Sequence, residues 1–220
     1  NQMLLDKYFS DINIIQYANN TYYEVKYNNL NIVIAYSKIG KVFSSLTATI
    51  LIEKFKCNIL LFSGVAGGIN PKLAIGDLIV ANKLCQHDLD ITAFGHPHGY
   101  VPGGDIFIST DEKLKNIALD IAKSENIKII EGIIATGDQF VANKEDKIFI
   151  ENTFKADALE MEGASVAVVC DALNVPYLIL RAISDTADMD AEFNFDEFLV
   201  SSAKNSANFL IKVIDKLITD

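Results

Sequence analysis

Arginine is nearly absent from this 220-residue chain: 18 of its 19 basic residues are lysine, and the one arginine is Arg181. Basic residues as a class are scarce too, 19 against 29 acidic, for a formal net charge of −10. Nucleic acids and heparin are polyanions that need a basic footprint, so such partners are excluded. Cysteine is rare and scattered. Cys57, Cys85 and Cys170 are odd in number and show no CxxC spacing, which excludes a disulfide framework and a zinc ribbon. They read as small reduced core residues, which fits a reducing, cytoplasmic compartment. Only four prolines occur, and none marks a domain boundary. No apolar run approaches the roughly 18 residues of a membrane span, and no signal-peptide pattern is visible.

What is present is core-forming material. Half of the residues are hydrophobic and 22% are charged, which excludes intrinsic disorder and suits one domain over residues 1–220. Strand-like and helix-like segments alternate. Leu30 to Tyr36, Asn58 to Ser63, Asp77 to Ala81, Ile129 to Ala135, Ala158 to Met161 and Tyr177 to Ile183 read as strands. Lys41 to Lys56, Asp111 to Lys123, Glu162 to Leu173 and Asn194 to Thr219 read as helices. Fully apolar strands alternating with helices define a three-layer α/β domain.

Three segments follow apolar strands, where ligands bind in α/β sheets. Gly64-Val65-Ala66-Gly67-Gly68 holds three glycines in five residues, which suits either a close backbone approach to a ligand or a plain tight turn. In Ala158-Leu159-Glu160-Met161-Glu162-Gly163-Ala164, two carboxylates flank a methionine where a strand meets a helix. Glu162 suits a helix N-terminus, or it can accept from the two hydroxyls of a sugar diol. Arg181-Ala182-Ile183-Ser184-Asp185-Thr186-Ala187-Asp188 holds the lone arginine four residues before an acid. Surface ion pairs in this chain use lysine, and a guanidinium fork does what lysine cannot. His87, His96 and His98 cluster in Gln86 to Pro102, but their spacing fits no standard zinc site, so a covering loop is expected and no metal.

Further motifs are Ser37-Lys38-Ile39-Gly40-Lys41, Asp90 to Gly95, Thr136-Gly137-Asp138-Gln139-Phe140-Val141, and Phe195 to Phe198. With the three segments above, they make the chain similar to the bacterial 5′-methylthioadenosine/S-adenosylhomocysteine nucleosidases of the purine nucleoside phosphorylase/hydrolase superfamily. The resemblance runs from Tyr22 to the C-terminus. It implies a single α/β domain with a central mixed, partly barrel-like sheet wrapped by helices, usually a homodimer, without metal or cofactor. It implies hydrolysis of the N-glycosidic bond of methylthioadenosine, adenosylhomocysteine and 5′-deoxyadenosine. By resemblance, Asp185 protonates adenine N7, Ser184 positions it, and Arg181 lies near the attacking water. Glu162 and Met161 meet the ribose, with Glu160 beside them. Phe140 and Val141 hold adenine, with Val65, Ala66 and Gly67 near the purine. Phe195 and Ile39 line the 5′ side. Ile91, Phe94, His96 and Pro102 close that pocket from the neighbouring subunit.

The residue types agree with the chemistry. Adenine departs readily only when N7 is protonated, and general acid catalysis contributes roughly 10²–10⁴-fold. Asp185 is therefore expected to carry a raised pKa. Departures from the family pattern are also visible. The family's first strand, ending in a glutamate that activates water, aligns at or ahead of Asn1. Val65 stands for a serine, Lys38 for a glycine and His96 for an aromatic residue. Three alternatives stay open: a phosphorylase using phosphate, an aminofutalosine hydrolase of the same fold, and a non-catalytic surface binding protein.

Overall fold

The computed structural model describes residues 9, 11–28, 30–186 and 191–219. The strand expected ahead of Asn1 lies outside them. The first described elements are an antiparallel meander of β1 (Ile12–Tyr17), β2 (Asn20–Tyr27) and β3 (Leu30–Ala35). Its first turn uses Ala18 and Asn19, both at positive φ (47° and 55°), as a two-residue hairpin requires. There follow α1 (Lys41–Glu53), β4 (Leu60–Gly68), β5 (Leu78–Gln86), a 3₁₀ turn (Thr92–Phe94) and β6 (Ile108–Ser109). Then come α2 (Glu112–Ser124), β7 (Ile129–Thr136), α3 (Lys144–Phe154), β8 (Ala158–Glu160), α4 (Gly163–Ala172), β9 (Tyr177–Thr186) and α5 (Ala191–Thr219).

The second sheet closes on itself. β5 pairs with β7, β7 with β8, β8 with β4, β4 with β9, and β9 returns to β5. Among the described residues the domain is thus α/β, with a mixed five-stranded, barrel-like sheet and five helices. Period-two alternation divides its strands between two cores. Leu78 and Val80 of β5, with Leu178, Leu180 and Ala182 of β9, pack under α2 and α5. Ile79, Ala81, Ile179 and Ile183 join Ala48, Ala164 and Ala167 of α1 and α4 in the other core. Burying one such Leu or Ile side chain contributes about 1.5–3 kcal/mol. Arg181 belongs to this second, apolar face and is 1% exposed.

Several elements differ from the sequence reading. The glycine segment is not a loop: β4 runs through Gly68, and β9 continues through Ser184 and Asp185 to Thr186. Glycine survives inside β4 because charged side chains of β9 occupy the space. A Cβ on Gly64 would lie 2.8 Å from Arg181 Nη1, and one on Gly67 would lie 2.9 Å from Asp185 Oδ2. The β4–β9 register slips by one residue between Ala66 and Gly67, opposite Ser184. Such a bulge re-aims a side chain, and here it falls at the expected acid. β1, β2 and α3 carry weak periodicity and are formed by tertiary pairing and packing. Cys85 and Cys170 are buried and Cys57 half-buried, all as free thiols.

Candidate active site

The site is built on the ends of β4, β7, β8 and β9 and the N-terminus of α4. Arg181 is its most deeply buried charge. Its Nη2 donates to Glu160 Oε2 at 2.5 Å and its Nε donates to the same oxygen at 3.2 Å. The guanidinium lies 4.2 Å from the ring centre of Phe62, a cation–π contact on its other side. Nη1 is buried and makes no hydrogen bond among the described residues.

Glu160 differs from its sequence reading. The resemblance groups it with the substrate-binding residues, whereas its side chain is only 2% exposed and both oxygens are taken by protein donors. Besides Arg181, it accepts from the N–H of Gly163 (2.9 and 2.7 Å), the N–H of Glu162 (3.1 Å) and the hydroxyl of Thr136. Thr136 in turn accepts from Ala164 N–H at 2.8 Å. Glu160 and Thr136 thus satisfy the open N–H groups at the start of α4. A Cβ on Gly163 would meet Glu160 Oε1 at 3.1 Å.

Glu162, in the N-cap position of α4, is thereby released from capping. Its Oε1 accepts from Gly40 N–H at 3.0 Å, and its Oε2 is 3.9 Å from Arg181 Nη2. Burial and the charge of Glu160 push its pKa up, while Arg181 and the N–H groups of Gly40 and Met161 oppose the rise. It retains 16% side-chain exposure, so a ligand can reach it. Met161 beside it is half-buried.

Asp185 sits across from Gly67 with 4% exposure. Burial raises its pKa above the ordinary carboxylate value; a hydrogen bond from Ser184 Oγ, 3.0 Å from Oδ1, and the charge of Lys147 pull the other way.

A polar strap ties the Gly40 turn to the loop after β7. Lys41 N–H donates to Asp138 Oδ1 (2.7 Å), Asp138 N–H donates to Asp88 Oδ2 (2.9 Å), and Lys41 Nζ pairs with Asp88 Oδ1 (2.7 Å). Burial works to raise the pKa of Asp88, but the hydrogen bonds from Lys41 and Asp138 hold it below the usual range. His87 lies behind this loop, and a Cβ on Gly137 would come 2.3 Å from its Nε2. The sequence reading placed Thr136 in a family motif and Asp88 and His87 in a covering loop, but gave none of the three an individual role. Their signal is only burial of polar side chains, which a sequence does not display.

Arg181, Ser184, Asp185, Glu160, Glu162, Val65, Ala66 and Gly67 all stand on the adjoining ends of β4, β8 and β9 and the start of α4. Ile39 is joined to this group through the Gly40–Glu162 bond and is 65% exposed. Phe140 and Val141 occupy the loop between β7 and α3, with Phe140 exposed and Val141 packed on the core. Ile91, Phe94, His96 and Pro102 lie on the long connection between β5 and β6. Phe94 is 80% exposed there, and His96 stacks on Tyr100. No hydrogen bond or ion pair joins these four to Arg181 or Asp185 among the described residues. Phe195 falls in α5, and its side chain is outside the described set. Among the described residues, no group of three or more His, Cys, Asp or Glu could hold a metal, and no helix is long and apolar enough to cross a membrane.

The adjoining strand ends thus carry a buried carboxyl (Asp185), a reachable carboxylate (Glu162) and a buried guanidinium (Arg181) on a closed mixed sheet. Residues 2–215 match the family model of the phosphorylase superfamily, and the chain belongs to that superfamily. It is 62% identical over 207 residues to the aminodeoxyfutalosine nucleosidase of Campylobacter jejuni, covering 94% of this chain and 90% of that one. The crystal structure of a 5′-methylthioadenosine/S-adenosylhomocysteine nucleosidase from the same organism superimposes with a TM-score of 0.93 at 60% identity, covering 98% and 93% of the two chains. The futalosine hydrolase of Helicobacter pylori superimposes with a TM-score of 0.95 at 48% identity, covering 97% and 91%. Within the superfamily the chain is a nucleosidase, a hydrolase of N-glycosidic bonds.

Proposed function

We propose that this nucleosidase releases adenine from adenosines substituted at the 5′ carbon, taking methylthioadenosine, adenosylhomocysteine and 6-amino-6-deoxyfutalosine as substrates. The observation that carries the reading is Asp185, a carboxyl buried to 4% exposure whose environment favours the protonated form. Asp185 gives its proton to N7 as the C1′–N9 bond breaks, and the bonding electrons pass to the purine. Water captures the cationic ribosyl carbon and loses its extra proton to solvent, and Asp185 regains a proton from solvent before the next turnover. Glu162 accepts from the ribose hydroxyls, Met161 packs below the sugar, and Arg181 fixes the carboxylates around the water. Phe140 and Val141 hold the base. The similarity to relatives described both as aminodeoxyfutalosine and as methylthioadenosine/adenosylhomocysteine nucleosidases supports a site tolerant at the 5′ end.

The 5′ side is also where a second copy of the chain belongs. Ile39, Val42, Phe43 and Leu46, spaced along one face at the start of α1, are exposed, as is Phe94. A homodimer would cover these residues and bring Ile91, Phe94, His96 and Pro102 of one copy to the pocket of the other. Such an enzyme works in the cytoplasm. An adenine-release assay with the three substrates tests the reading. Asp185→Asn should abolish turnover of all three while leaving the melting temperature near that of the wild type. Near-normal turnover in that variant refutes the acid assignment.

A further inference from the structure

Helix α1 starts without a cap of its own. Gly40 holds the N-cap position at φ 89° and ψ 163° and has no side chain to cap with, and no acid lies in the first turn. The N–H groups at a helix start need acceptors from elsewhere, and two successive ones find carboxylates of two other segments. Gly40 N–H donates to Glu162 Oε1 at 3.0 Å, and Lys41 N–H donates to Asp138 Oδ1 at 2.7 Å. The turn demands glycine: its φ is positive, and a Cβ on Gly40 would lie 2.9 Å from Asp138 Oδ1. A glycine turn does not hold itself, so its direction is set by what grips it. The peptide joining Gly40 to Lys41 is gripped at both ends, by Asp138 on its N–H and by Ser44 Oγ, 2.8 Å from its carbonyl oxygen. Asp138 is exposed, yet it is anchored in turn. Its N–H donates to Asp88 Oδ2 at 2.9 Å, and Lys41 Nζ meets the other Asp88 oxygen at 2.7 Å. The circuit from Lys41 N–H through Asp138 and Asp88 back to Lys41 Nζ is closed, and it reaches the cleft through Gly40 N–H on Glu162.

We propose that Asp138 is a positioning residue for sugar recognition: by holding the Gly40–Lys41 peptide it fixes the N–H group that aims the Glu162 carboxylate at the ribose hydroxyls. This rests on the ribose role given to Glu162 above. Glu162 Oε2 stands 3.9 Å from Arg181 Nη2, too far for a hydrogen bond, whereas Gly40 N–H gives the carboxylate a directional contact. Aimed this way, Glu162 presents its remaining lone pairs to a diol in a fixed geometry, and hydrogen bonds weaken steeply with misalignment. Without the grip of Asp138 the Gly40 peptide turns freely and the carboxylate follows it. Contacts to the sugar hydroxyls then weaken, while a sugar that has no hydroxyls loses nothing.

The test uses the full chain and two substrates, methylthioadenosine and its 2′,3′-dideoxy analogue, which offers Glu162 no diol. The readout is the ratio of their kcat/KM values for adenine release. Both carry the same base and 5′ group, so any effect on the Phe140–Val141 loop or on the amount of folded enzyme divides out. In Asp138→Ala the ratio should fall about 10-fold below that of the wild type. Asp138→Asn keeps an oxygen for Lys41 N–H and should hold the wild-type ratio within about 3-fold. In a Glu162→Ala background, Asp138→Ala should change the ratio no further, because the two residues act through one contact. An unchanged ratio in Asp138→Ala, whatever the fall in absolute rate, overturns the proposal. So does a ratio in Asp138→Asn as low as in the alanine variant, which would assign the effect to charge. Glu162→Ala alone separates the two levels. If it lowers the ratio while Asp138→Ala does not, only the Asp138 role fails. If it leaves the ratio unchanged, the ribose assignment fails and the proposal with it.

Discussion

Replacing Glu160 by glutamine tests the architecture of the site through a single atom. The substitution keeps shape and one acceptor oxygen but removes the charge opposite Arg181, which is 1% exposed. The remaining oxygen cannot serve Arg181, Thr136 and the N–H groups of Glu162 and Gly163 together, and the new NH₂ group faces donors. Glu162 offers Arg181 no substitute: it stands 3.9 Å away and is held by Gly40 N–H. Breaking a buried pair by removing one partner costs about 3–5 kcal/mol. In a domain of this size each kcal/mol moves Tm by about 2–4 °C, so Glu160→Gln should lower Tm by about 6–20 °C. Calorimetry at fixed protein concentration measures it, since dimerisation would make Tm concentration-dependent. The double variant Glu160→Gln/Arg181→Met removes the orphaned charge and should recover a large part of the loss, giving a coupling of about 2–3 kcal/mol. A single variant within about 2 °C of the wild type, or a double variant as unstable as the sum of its parts, refutes the claim that Glu160 exists to hold Arg181 and α4.

Two further outcomes follow from the same geometry. Gly64→Ala drives a Cβ to 2.8 Å from Arg181 Nη1 and 3.2 Å from its Cζ, while Glu160 and Phe62 prevent retreat; it should destabilise by about 1–3 kcal/mol in a thermal melt. Because the folded-state pKa of Asp185 is raised, its contribution to stability is complete below the unfolded carboxylate value and is lost as pH rises through the folded value. The Tm of Asp185→Asn should therefore gain on the wild type over that interval of pH and stay level above it, and parallel melting curves across the interval would contradict this.

The long apolar strands and the helices α1, α2, α4 and α5 were legible because their cores are written as local periodicity. β1, β2 and α3 were not, because their stability comes from cross-strand pairing and from packing against distant residues. The glycine segment reads locally as a turn. Its true state, a strand pressed against Arg181 and Asp185, depends on a neighbour more than a hundred residues away.

The amino-acid sequence by itself determined the class of the domain and the identity of the rare residue. One arginine among lysines, four residues before an aspartate, pointed to the site without any coordinates. Only the tertiary structure divided the two glutamates that flank Met161. Strand and helix start place them two residues apart, and nothing in the sequence says which is buried. Closure of the sheet puts Arg181 against Glu160 and leaves Glu162 to Gly40 and the cleft. Burial also decides which charge is paired and which stands alone, because desolvation and partner geometry are properties of the packed interior.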